Sequence, residues 1–120
     1  MIVVIGRNYF NFYEINWLFK IEINQLSVNC LEGIGSYIFF PSKIEVYAGN
    51  EPGSMKKFEQ RNLPPTDRDR EIKIKNFSIA LSQVKARYIK VVLKNIQKLP
   101  SWHEGAGADA WIFVDEIMVQ

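Results

Sequence analysis

A chain of 120 residues with 48% hydrophobic content is sized for one hydrophobic core and leaves no room for a second domain. Fifteen Lys and Arg against thirteen Asp and Glu leave a formal charge of +2, too weak a field to expect nucleic acid or an anionic membrane as partner. The single cysteine, Cys30, excludes an intrachain disulfide; it sits in an alternating apolar run, where a thiol behaves as a small hydrophobe.

The chain opens on MIVVIGRNYF, whose apolar stretch is short and follows no basic segment, so it reads as neither a signal peptide nor a membrane span. If the chain is part of a larger exported protein, its signal would lie upstream. RNYFNFYEINW is aromatic and polar without a clean period, and reads as an edge strand or an arm. Left unpaired, Tyr9, Phe10, Phe12 and Tyr13 would invite self-association through a strand edge. Next, Phe19, Ile21 and Ile23 alternate with Lys20 and Glu22, and Leu26, Val28 and Cys30 continue on one face after a change of parity. That change predicts a bulge or turn near Asn24 and Gln25.

Alternation returns at Ile44 and Val46, and again at Ile72 and Ile74 among charged residues, giving strands with one wet face. NFSIALSQV admits a helical turn. YIKVVLKNI and WIFVDEIMV are β-branched and aromatic, as central strands are. Turn-rich segments fall at 31–36, 49–54, 61–70 and 99–110. Short strands between long loops, with no helical alternation, predict an all-β sandwich or barrel.

Catalytic constellations are missing from this pattern. His103 is the one histidine, and neither Ser36 nor Ser101, its candidate nucleophile partners, stands in a nucleophile elbow. Asp67 and Asp69 alternate with Arg68 and Arg70, which reads as a solvated charge run. The informative segment is PSWHEGAGADAWIFVDEIMV. It places Trp102, His103 and Glu104 on a glycine-rich loop, where large side chains can be presented to solvent. A pyranose asks for an aromatic plate flanked by hydrogen-bonding groups, and Tyr37, Trp102, His103 and Glu104 meet that requirement. The alternative is that Trp102 tucks under its own loop. Trp111, which opens an alternating strand with Phe113, is expected in the core.

SVNCLEGIGSYIFFPSKIEVYAG, VKARYIKVVLKNI and LPSWHEGAGADAWIFVDEIMV, in that order, resemble the coagulation factor V/VIII type C, or discoidin-like, domain. The likeness is greatest to the version at the carboxyl end of Bacteroides-type β-N-acetylhexosaminidases (chitobiases), and it covers residues 24–120. The resemblance implies a single domain over 1–120 with the fold of an eight-stranded jelly-roll β-sandwich of galactose-binding topology. Residues 1–23 are atypical or truncated, because the Asp-Gly loop and first strands of the family are not found before Ile23. It also implies sugar binding by end loops and a structural Ca2+ ion, held here by Glu116 and the backbone oxygen of Asp115.

The function expected on this resemblance is a non-catalytic carbohydrate-binding module, attached to a hexosaminidase-like catalytic domain and exported with it to the periplasm or cell surface. Its partner would be a glycan of GlcNAc, GalNAc or galactose type. The alternative is a structural or interaction domain that packs on the catalytic domain and binds no sugar.

Overall fold

The computed structural model describes residues 4–6 and 10–120, with side chains from Glu14 onward. Tyr9 and the side chains of Phe10, Phe12 and Tyr13, on which self-association was expected to depend, lie outside the described residues. Among the described residues there are six strands: β1 (Val4–Gly6), β2 (Phe10–Glu32), β3 (Lys43–Gly49), β4 (Lys56–Asn62), β5 (Lys73–Lys94) and β6 (Ile112–Val119). They form one antiparallel sheet in the order β1-β6-β2-β5-β3-β4.

The two long strands carry the architecture. The carboxyl half of β2 pairs with both β6 and the start of β5, whereas the end of β5 pairs with β3 and with the amino half of β2. Ile23, Val28, Ile44, Val91 and Val114, drawn from four strands, are all fully buried in one cluster. No second layer exists among the described residues, so the sheet must fold over its own apolar face to exclude water from that cluster. Arg61 Nη1 of β4 reaches the Ser78 carbonyl of β5 at 2.9 Å, across the fold from the β3 side. Counted by halves, β2 and β5 supply four segments, which with the other strands make the eight of a jelly roll.

The bends fall where pairing slips. The register of β2 shifts between Ile23 and Gln25, at the expected position, and again between Asn16 and Ile21. The bulge is pinned by the chain end: the Asn24 and Gln25 amides donate to the Gln120 carbonyl at 2.7 and 3.0 Å. NFSIALSQV carries no helical turn and runs within β5, with Phe77, Ile79 and Leu81 inward. Gln83, at φ 50, marks the break after which Val84 and Ala86 take the inner face.

Two expectations of the periodicity are corrected. Ile72 and Ile74 are exposed, because the inner face of β5 is that of Phe77 and Ile79 and the start of the strand runs past the core, where Lys73 is half-buried and Lys75 exposed. Trp111 is 36% exposed, since Ile112 and Val114 take the core-facing positions of β6. Burial and, secondarily, the nearby Asp115 push the Cys30 thiol up to about 12, so the cysteine is an inert core residue.

One polar group enters the core wall deliberately paired. Glu45 on β3 is buried, with Lys94 and Lys57 at 3.1 and 3.2 Å and the Tyr47 hydroxyl donating at 3.3 Å. Burial opposes its charge, but the hydrogen bonds and charges of Lys94 and Lys57 outweigh it and hold the carboxyl below the usual carboxylate range.

Candidate functional site

The loop following β5 and the segment between β2 and β3 meet at one end of the sandwich. Ile34, Phe39, Leu99 and Ala110 form a small buried cluster there, with Tyr37, Ile96 and Trp102 packed against it. Backbone hydrogen bonds weave the two segments together. Phe39 N–H donates to the Trp111 carbonyl and Trp111 N–H to the Tyr37 carbonyl, each at 2.9 Å, while Leu99 N–H closes the glycine-rich loop on Ala108 at 2.8 Å. Buried Asn95 holds the loop exit, donating from Nδ2 to the Ala110 carbonyl at 2.7 Å.

Within the loop His103 is buried, and both ring nitrogens are engaged. Nε2 lies 2.7 Å from the Ile34 carbonyl, which can only accept, and Nδ1 accepts from the Gly105 amide at 2.9 Å. These partners select the neutral imidazole with its proton on Nε2. The ring also meets the Tyr37 ring edge-on, with centroids 5.1 Å apart. His103 therefore has no free ring nitrogen for a sugar or for a serine. Its place is loop support, which corrects the role expected from the sequence.

The glycines follow from the same packing. A Cβ on Gly105 would lie 2.6 Å from Tyr37 Cζ and Oη and 3.0 Å from Leu99 Cδ1, and Gly107 holds φ +88. Tyr37, at φ 67, is half-buried beneath Gly105.

Two of the expected site residues keep an open side. Trp102 is half-buried against Phe39, and the guanidinium of exposed Arg68 lies over its ring at 5.0 Å. Glu104 is exposed and bidentate with Arg70, the second contact being Nη1 to Oε2 at 3.0 Å. The Arg70 hydrogen bond holds its carboxyl down to about 2. Spacing along the chain did not connect the 61–70 segment to this loop. The only hint was that TDRDR supplies arginines matching an indole and a carboxylate elsewhere.

Asp115 and Glu116 lie on β6, at a register shift where Glu116 faces Asn29 and Val114 faces Cys30. Asp115 is the extra residue of this bulge, so both carboxylates fall outside the core face defined by Val114 and Ile117. Asp115 Oδ1 accepts from Asn29 Nδ2 at 2.7 Å. No group of three or more His, Cys, Asp or Glu side chains suited to a metal forms among the described residues.

No family model matches the chain, and no curated protein does. Solved structures do. CpGH89CBM32-6 from Clostridium perfringens superposes with a TM-score of 0.64 at 13% identity, over 98% of this chain and 75% of that one. The fold is that of a CBM32 domain. Truncated AlyQ, with CBM32 and alginate lyase domains, matches with a TM-score of 0.57 at 12% identity, over 98% of this chain and 25% of that one. The carboxyl-terminal domain of a Bacteroides fragilis chitobiase is similar at 19% identity over 92% of this chain and 66% of that one, with a TM-score of 0.49 that adds no weight. At these identities the likeness establishes an all-β, galactose-binding-like fold.

Proposed function

We propose that the chain is a non-catalytic carbohydrate-binding module of a β-N-acetylhexosaminidase-like glycoside hydrolase, exported with it, and that it binds a GlcNAc, GalNAc or galactose-type sugar at the Trp102 loop. The observation supporting this reading is the half-open indole of Trp102, covered by one exposed guanidinium, on a fold shared with CBM32 domains. The apolar C–H face of a pyranose would replace Arg68 over the ring, freeing its five N–H donors for sugar hydroxyls. Glu104 and Arg70 would offer an acceptor and a donor beside it, and Tyr37, packed on His103, would hold the loop that carries the plate. Tethering makes weak affinity sufficient, because the attached enzyme raises the local concentration of both.

Calcium belongs to the same reading, engaging Glu116 and the backbone oxygen of Asp115. The ion takes six to eight oxygens, so it would draw most of them from backbone carbonyls here.

Calorimetric titration with GlcNAc, GalNAc and galactose ligands tests the sugar site. Trp102→Ala should weaken binding at least tenfold. Equal affinity in both proteins, or no binding by wild type across the panel, overturns it. One observation favours the interaction-domain reading: Trp111 and Ile38 border an apolar recess of about 160 Å³ with Phe113 on the outer face.

A further inference from the structure

The inner faces of β2 and β5 do not end as they run. On β2, Leu26, Val28 and Cys30 face the core, and the next position of that parity is Glu32, 2% exposed. On β5, Leu81, Ile79 and Phe77 face the core, and the same parity continues to Lys75 and Lys73. The register sets Glu32 opposite Lys73 and Cys30 opposite Lys75. Two core faces thus finish, side by side, in charged residues where apolar ones would complete the packing.

A cleft of about 210 Å³ opens there, continuing into a recess of about 170 Å³. Phe40 and Phe77, edge to face at 5.4 Å, make one wall and Leu63, Pro64 and Pro65 the other. Consecutive prolines fix their backbone angles and offer no N–H, so that lip is rigid. Its position is held by Leu63 N–H on the Ser42 carbonyl at 2.9 Å. Thr66 Oγ1 donates to Glu32 Oε1 at 3.1 Å. Glu32 itself lines both the cleft and the recess. Lys73 is drawn aside to Asp67 and Asp69 at 2.9 and 3.5 Å, and Lys75 lies over the Phe40 ring at 5.6 Å.

From this arrangement we infer that the cleft is a second sugar subsite, taking one pyranose through two adjacent hydroxyls. A carboxylate accepts and an ammonium donates; a hydroxyl pair can do both at once, which neither a pure cation nor a pure anion can. The phenylalanine and proline walls suit the C–H surface of the ring. The inference rests on the chain being a glycan binder, and is independent of Trp102.

Amide NMR spectra of the full chain, titrated with methyl glycosides of galactose, GalNAc and GlcNAc and with their β-linked disaccharides, separate the two sites. Ligand should move the amides of Thr66 and Lys75 as one set and those around Trp102 as another. Glu32→Gln, which keeps the size and the Thr66 contact, should weaken the first set at least fivefold, as should Lys75→Met at an exposed position; both should leave the second set unchanged. Shifts confined to the Trp102 loop, or a first set indifferent to both variants, overturn the cleft alone. A first set without the second supports the cleft and overturns the Trp102 plate. No shift anywhere overturns both.

Discussion

Removing the His103 imidazole separates a ligand contact from a loop support. In His103→Ala the Gly105 amide loses its partner in a part-buried turn, and the Ile34 carbonyl loses its ring contact and keeps only the Tyr37 N–H at 3.1 Å. Leaving a buried backbone group unpaired costs about 1–3 kcal/mol. The ring also packs against Tyr37, Phe39 and Trp102, with centroids 5.1, 6.0 and 5.9 Å away, so a void follows its removal. Partial relaxation and some entry of water offset these costs, and about 3 kcal/mol is expected overall. For a domain of this size that corresponds to a fall in Tm of about 10 °C. Urea unfolding followed by fluorescence, with Glu104→Gln as an exposed control in the same loop, measures it. A variant as stable as wild type that has lost sugar binding would refute the structural role and restore His103 to the ligand site.

Gly105→Ala should lower Tm by several degrees, because its methyl meets Tyr37 at 2.6 Å, whereas Gly53→Ala, with nothing within 4 Å, should leave it unchanged; paired thermal melts check both. Glu45→Gln should cost about 2 kcal/mol near neutral pH, through weakened charge-assisted bonds. Since the folded carboxyl titrates below the unfolded one, that contribution is complete above the unfolded pKa and is lost as pH falls through the folded pKa. Urea midpoints of wild type and variant should therefore begin to draw together as pH falls below about 4 and meet below the folded pKa. For calcium, the melt of wild type should rise with millimolar CaCl2 and fall with chelator, and Glu116→Gln should blunt the difference; identical midpoints with ion and chelator remove Glu116 and Asp115 from any metal site.

Alternation in the sequence was enough to find parts of β2, β3, β5 and β6 and the β2 bulge, because an inner face two residues in period is a local property; β4, exposed along its whole length, carries no such signal. It was misleading where parity depends on partners. WIFVDEIMV admits two inner faces, Trp111 with Phe113 or Ile112 with Val114, and only pairing with β2, with its extra residue at Asp115, selects the second. Ile72 and Ile74 failed likewise: an apolar residue between charges signals a buried face only while the strand remains over the core. The unbroken length of β2 and β5 was invisible too, since strands that bend at register shifts read as separate segments.

The site was legible as a loop and illegible as a surface. PSWHEGAG is the most particular block of the sequence, and the structure explains most of it by folding: Pro100 accepts the turn from His103, His103 ties Gly105 to Ile34, and both glycines are demanded by contact or backbone angle. A motif whose residues hold one another reports the shape of the loop, whatever the loop binds. The residues that keep an open side for a ligand are Trp102 and Glu104, and their partners Arg68 and Arg70 come from a segment that reads as a solvated charge run. That segment also supplies Thr66 to Glu32. Exchanging Arg68 for Ala should therefore alter binding at Trp102 while lowering the melt by no more than about 3 °C, as expected for an exposed cation–π contact worth about 0.5–1 kcal/mol. A large loss of stability would instead make Arg68 part of the loop's structure, and the indole beneath it a plug.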